Sequence, residues 1–276
     1  MRISKKNFKE VVTRNRWLKY VPNTLTLCNS LCGFAAILYT IRAFHNSEYD
    51  NRALLISAWI ILFAMIFDAL DGFAARIFNA ASMHGMQMDS LSDMVTFGVA
   101  PAAIIAVMAH SINDATGRFD IYVYAMSCIY MGGAALRLAT YNVHALTHKK
   151  SGEQFSGLPS PGAAAGVCSV LLVFNGTGLY DRFSVELALY LPIYAALLGF
   201  LMVSNIPYLH VGKWIFAARR NGRNFVILVI LLVIIGVFKI NALAILINIY
   251  IFSAPVIAFV KWLVRPKTNR MEQAAN

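Results

Sequence analysis

The sequence predicts an all-α membrane protein, a polytopic bundle of about eight transmembrane helices preceded by a basic helix at the membrane interface. Three observations predict it. Of 276 residues, 59% are hydrophobic and only 13% charged, far from the balance of a water-soluble domain. Mean hydropathy is +0.62, and about eight apolar runs approach the ~20 residues that cross a bilayer core. The net charge of +11 is also distributed unevenly along the chain, as charge is in proteins oriented by a membrane.

Residues 1–22 form a basic amphipathic segment. Arg2, Lys5, Lys6, Lys9, Arg14, Arg16 and Lys19 accompany Phe8, Val11, Val12 and Leu18, which a helix would place near one face. Such a helix lies on anionic lipid. No small-residue cleavage site follows the first long apolar run, so the segment is expected to stay. Pro22 opens the first span, where a missing amide hydrogen costs nothing. Spans are expected at 23–43, 53–78, 88–110, 120–140, 160–176, 184–205, 224–238 and 241–262. Residues 23–205 thus make one six-span unit. Residues 206–276 add a basic loop, two further spans and a tail with Lys261, Arg265, Lys267 and Arg270. The last two spans hold no acidic residue and only Asn241 and Asn248 as clear amides, the pattern of packing or oligomer helices. The loop at 210–224 sets Trp214, Ile215 and Phe216 among basic residues, which suits the headgroup level.

With the N-terminus in the cytoplasm, only Arg42, Arg52, Arg118, Arg182 and Lys239 of the 24 basic residues lie near outer ends. This bias predicts a multi-pass protein of the cell (inner) membrane with both termini cytoplasmic. It also assigns the positive charge to lipid and not to nucleic acid. Cys28, Cys32, Cys128 and Cys168 all fall in apolar runs and read as small buried hydrophobes.

Residues 68–93 carry four of the thirteen acidic residues between two apolar runs. An ionisable group beside a membrane span is a functional candidate. Helical spacing puts Asp68 and Asp71 on one face at the end of the second span, and Asp89 and Asp93 on one face at the start of the third. A short connection at 79–87 makes these helices antiparallel neighbours, so the four carboxylates are expected to converge at the cytoplasmic edge. Four like charges at that separation require neutralisation. With no His or Cys among them, the ligand set selects hard cations, Mg²⁺ or Mn²⁺, and two such ions suit transfer between phosphate oxygens. Gly72 leaves the backbone open to a bulky ligand, and Arg76 offers a fork for phosphate oxygens. Ser82 and Gly85 occupy the connecting turn.

The set Asp68, Asp71, Gly72, Ala75, Arg76, Gly85, Asp89 and Asp93 resembles, at every defined position, the signature of the CDP-alcohol phosphatidyltransferase family. The resemblance implies a six-helix catalytic core, usually dimeric, that moves a phosphatidyl group from CDP-diacylglycerol to an alcohol and releases CMP. It implies that Asp68, Asp71 and Asp89 hold the metals, and that Asp93 is both a ligand and the base for the acceptor hydroxyl. It assigns Gly72, Arg76, Ser82 and Gly85 to the nucleotide and diphosphate, together with Asn23 and Thr26 in the stretch NTLT. Two further segments, RLATYNVH at 137–144 and FSGLPSPGAAAG at 155–166, resemble the phosphatidylserine synthase branch, which implies L-serine as acceptor.

Serine presents a carboxylate, and Arg137, near the cytoplasmic end of a membrane helix, suits it. Tyr141 and Asn142 follow one turn on. Glycerol 3-phosphate or inositol phosphate as acceptor would call for more cations than His84, His144, His148, Lys149 and Lys150, which are all that the inner loops supply. A cation transporter would carry its acids near the bilayer midplane, whereas these are expected at helix ends. A membrane prenyltransferase has a different aspartate spacing.

Overall fold

The computed structural model of the chain describes residues 20–45, 51–78, 82–109, 118–147, 156–176, 180–208 and 222–264. They are helical almost throughout. The first apolar run forms α1 (Val21–His45), with Pro22 in its first turn, and α2 follows (Asn51–Ile77). Helix α3 is continuous through three pieces: Met83–Asp93, a π-helical turn at Met94–Val99, and Ala100–Ala109. Then come α4 (Arg118–Thr147), α5 (Ser160–Gly176), α6 (Tyr180–Val203) and α7 (Gly222–Val264). Most of the expected interfacial helix, most of the basic loop at 210–224 and the tail beyond 264 lie outside the described residues.

Among the described residues, five stretches are long and apolar enough to cross a membrane: Val21–Ala43, Arg52–Ile77, Met83–Met108, Phe119–His144 and Ile240–Val264. Ser160–Phe174 and Leu189–Val203 are shorter apolar helices. The molecule is a multi-pass membrane protein. Phe34, Phe63 and Phe200 are more than half exposed on the bundle surface, an arrangement that lipid, not water, rewards.

Two elements differ from expectation. Helix α3 starts at Met83, not at 88, because Ser82 caps it: the Ser82 Oγ accepts the Gly85 amide at 3.0 Å. Where two spans are expected at 224–238 and 241–262, α7 is one unbroken helix of 43 residues, about 64 Å long and roughly twice the hydrocarbon thickness. Its half from Ile240 onward packs against α5. Within that half, Asn248 accepts from the Tyr194 hydroxyl inside α6 (2.8 Å), and the Ile251 carbonyl accepts from Tyr208 beyond the end of α6 (3.0 Å). All four cysteines are free thiols, but only Cys168 is buried, and Cys128 faces outward.

Small residues let the helices close up. A Cβ on Gly133 in α4 would stand 2.5 Å from the Gly199 carbonyl oxygen of α6, and one on Gly33 in α1 would collide with Thr96 of α3. Such backbone approach, with hydroxyl bonds across it, replaces the hydrophobic drive that a bilayer removes. Between α1 and α2, the Thr40 and Ser57 hydroxyls lie 2.8 Å apart and Ser57 donates to the Ala36 carbonyl. Within the π-helical turn, the Phe97 carbonyl accepts from the buried Tyr130 hydroxyl at 2.8 Å. The entry to α5 is clasped to the end of α6. Gly157, at φ +89°, donates to Ile206, Leu158 donates to Leu201, and Ser156 bridges to Pro207. A side chain at 157 would strike the Met202 carbonyl as well as strain the backbone.

Candidate active site

Because α3 begins early, Asp89 and Asp93 lie inside it and not at its start, and Asp68 and Asp71 lie nine and six residues before the end of α2 at Ile77. Asp71 and Asp89 each stand six residues from Ile77 and Met83, the facing ends of α2 and α3, or about 9 Å along the axis. Asp68 and Asp93 lie about 14–15 Å in. One ligand oxygen from each of Asp68, Asp71 and Asp89 can be chosen so that all lie within 4.8 Å of one another. Asp93 sits beside this triad, 8% exposed and within electrostatic reach of all three. The expected convergence is therefore present as three clustered carboxylates with a fourth set deeper.

Two carboxylates at that distance, both ionised, repel by about 3 kcal/mol at an effective dielectric near 20. The triad persists only when protonated or countered by cations. Its oxygens favour the second state: Asp71 Oδ2 and Asp89 Oδ1 are buried and accept no hydrogen bond, an unfavourable condition for a protein-only site. An all-carboxylate donor set with orphaned oxygens fits a hard divalent metal ion.

Helix α1 forms the wall facing α3. Thr26, 4% exposed, stands between two acceptors, the Pro22 carbonyl at 3.0 Å and the Asp71 carboxylate. Its single proton serves one at a time. One turn on, Asn29 is fully buried and its Nδ2 donates to Asp93 Oδ1 at 3.2 Å, while its own Oδ1 is unpartnered. The same face of α3 grips the α1 backbone, with Ser92 donating to the Thr26 carbonyl (2.9 Å) and Thr96 to the Asn29 carbonyl (3.0 Å). Asn29 is absent from the sequence-derived set. Its signal is an amide in an otherwise apolar span, one turn beyond Thr26.

Of the residues expected to meet the nucleotide, three lie together where α1 and α3 begin. A Cβ on Gly85 would lie 3.2 Å from Ser82 Oγ and 3.5 Å from Asn23 Oδ1, so these three residues adjoin. Gly72 opens onto free space, with nothing within 4 Å of where a Cβ would stand. Arg76 is exposed and its Nε donates to the Gly72 carbonyl at 2.8 Å. On the opposite side, α4 brings its candidates to the acids. Arg137 interacts electrostatically with Asp93 and Tyr141, and Tyr141 with Asp89, Asp93 and Asp68. Asn142 Oδ1 lies 2.9 Å from the Ser90 hydroxyl, which also reaches the Met86 carbonyl. The four acids, Thr26, Arg137 and Tyr141 are thus linked to one another, Asn23, Ser82 and Gly85 adjoin, and Asn142 meets Ser90 next to Asp89, while Gly72 and Arg76 lie exposed on α2.

A family model described as CDP-alcohol phosphatidyltransferase matches residues 19–202. The chain is similar to the CDP-diacylglycerol–serine O-phosphatidyltransferase of Helicobacter pylori (strain ATCC 700392 / 26695), at 31% identity over 88% of this chain and 90% of the relative. It is similar to the enzyme of the same name from Bacillus subtilis (strain 168), at 33% identity over 75% of this chain and 99% of that one. Archaetidylserine synthase of Methanothermobacter thermautotrophicus is 33% identical over 68% of this chain and 69% of its own length.

Proposed function

Because the chain belongs to the CDP-alcohol phosphatidyltransferase family, we propose that it transfers the phosphatidyl group of CDP-diacylglycerol to the hydroxyl of L-serine, giving phosphatidylserine and CMP. The observation that carries this reading is the carboxylate triad bridging α2 and α3, with its two orphaned oxygens. The names of the relatives support serine as acceptor.

Asp68, Asp71, Asp89 and Asp93 would hold two divalent ions, Mg²⁺ or Mn²⁺, which when bound neutralise the acids and offset charge on the diphosphate. The nucleotide and diphosphate enter over Gly72, whose missing side chain leaves the approach open. They meet Asn23, Thr26, Ser82, Gly85 and Arg76. Arg137 faces the serine carboxylate, with Tyr141 and Asn142 completing that side. Asp93 takes the serine hydroxyl proton as the serine oxygen bonds to the β-phosphorus of CDP-diacylglycerol, the phosphorus bearing the lipid. The bond from that phosphorus to the CMP oxygen breaks, and CMP departs with the electron pair. Asn29 donates to Asp93 Oδ1 and so leaves Oδ2 to receive the proton.

The positive-inside pattern supports placing the site and both termini on the cytoplasmic face of the cell membrane. A homodimer follows the family habit. The test is CMP release from CDP-diacylglycerol by purified protein with Mg²⁺ or Mn²⁺, offered serine, glycerol 3-phosphate and inositol phosphate in parallel. Release with serine alone is expected; release only with a phosphorylated alcohol would overturn the assignment.

A further inference from the structure

The π-helical turn at Met94–Val99 is gripped from two sides by successive residues. On one side Thr96 donates to the Asn29 carbonyl of α1 at 3.0 Å. On the other, the Phe97 carbonyl accepts from the Tyr130 hydroxyl of α4 at 2.8 Å. That carbonyl needs a donor from outside its own helix. Its α-helical partner would be the amide of residue 101, and residue 101 is proline, which has no amide hydrogen and whose ring crowds the carbonyl one turn back. The wider bonding of the turn is plain next to it, where the Ala100 amide reaches back five residues to the Val95 carbonyl.

Tyr130 is itself firmly seated. It is fully buried, and α6 lies against its backbone, since a Cβ on Gly199 would stand 3.0 Å from the Tyr130 Cα. One turn on, Ala134 meets the turn again, its Cβ 3.4 Å from where a Cβ on Gly98 would stand. Tyr130, Ala134, Arg137 and Tyr141 follow one another at helical spacing. The face of α4 that carries acceptor-side residues therefore also holds the turn.

We propose that Tyr130 is a positioning residue for the metal-binding carboxylates, its bond to the Phe97 carbonyl holding the widened turn that aims Asp89 and Asp93 at Asp68 and Asp71. Phe97 lies four residues past Asp93, so the effect passes through the backbone of α3 and needs no contact between Tyr130 and the ions. Without the phenol oxygen, a buried carbonyl loses its donor. The turn then relaxes to another bonding pattern, and the segment before it turns with it.

This inference rests on reading the carboxylates as a metal site, and the experiment separates the two. Mn²⁺ binding to detergent-solubilised protein is read from the loss of the free-ion EPR signal, with metal-free thermal melting alongside. Wild type is compared with Tyr130→Phe, Pro101→Ala, Tyr194→Phe and a double variant carrying Asp71→Asn and Asp89→Asn. Tyr130→Phe keeps the ring and removes the donor, and is expected to weaken Mn²⁺ affinity roughly tenfold. Pro101→Ala, a change that a helix accepts, gives residue 101 an amide that competes for the Phe97 carbonyl, and is expected to weaken Mn²⁺ binding without lowering the melting temperature. Tyr194→Phe loses an equally short bond, to Asn248, and is expected to keep wild-type Mn²⁺ affinity whatever its melting temperature. Affinity of Tyr130→Phe within twofold of wild type overturns the role of Tyr130, as does an equal loss in Tyr194→Phe, which would mark a general loosening of the bundle. Should Tyr130→Phe fail to fold, Pro101→Ala within twofold of wild type overturns it instead. A wild type that binds Mn²⁺ no better than the double variant overturns the metal site itself, and this inference with it.

Discussion

Replacing Asn29 by leucine removes one hydrogen bond and little volume, and it tests whether Asp93 works only when held. The amide is fully buried and donates to a carboxylate at 3.2 Å. A hydrogen bond to a charged group contributes about 1.5–3 kcal/mol. At about 1.36 kcal/mol for each tenfold in rate, its loss predicts a fall in kcat of about 10- to 150-fold if Asp93 must keep its orientation as the hydroxyl proton leaves. The serine clamp and the nucleotide contacts are untouched, so both KM values should move by less than about threefold. The assay is CMP release under saturating CDP-diacylglycerol and serine, with thermal melting of the detergent-solubilised protein run alongside. A folded Asn29→Leu protein that keeps kcat within threefold of the parent would refute the reasoning, and would make Asn29 a packing residue of the α1–α3 seam.

Three other outcomes follow from the same geometry. Asp93→Asn should give a folded protein that binds CDP-diacylglycerol yet releases CMP at least ~100-fold more slowly, with retained turnover removing Asp93 from the base role. Gly85→Ala places a methyl 3.2 Å from Ser82 Oγ and 3.5 Å from Asn23 Oδ1, so the KM for CDP-diacylglycerol should rise several-fold while that for serine holds. Stripping the protein with a chelator should abolish CMP release, and Mn²⁺ or Mg²⁺ should restore it. The same ions should raise the melting temperature of the wild type but not of a protein carrying Asp71→Asn and Asp89→Asn.

The acid cluster was legible because helical spacing is a local property. Residues three and four apart share a face whatever the rest of the chain does, so Asp68 with Asp71 and Asp89 with Asp93 could be paired before any packing was known. The link from Asn29 to Asp93 was not, since it joins residues 64 apart and depends on the rotation of α1 against α3. That rotation is set by contacts such as Gly33 on Thr96. The start of α3 was misplaced because Ser82 caps it with no Glu or Gln three residues on, and the capping box is the signal a reader looks for. The expected spans at 224–238 and 241–262 part at Lys239, but a single lysine does not end a helix, and no glycine or proline lies between Val237 and Ala254.

The π-helical turn at Met94–Val99 comes directly after Asp93. Each such widened turn takes up a residue beyond the α count, which rotates everything before it by roughly 100° relative to everything after it. Helix α3 is therefore two helices set at an angular offset: an upstream half that aims carboxylates at α1 and α2, and a downstream half that buries Ile104 and Ile105. Excising a single residue from this turn would wind the two halves into phase. The lower half would keep its seat in the bundle while Asp89 and Asp93 swung away from Asp68, Asp71 and Asn29, dismantling the centre without deleting any member of it.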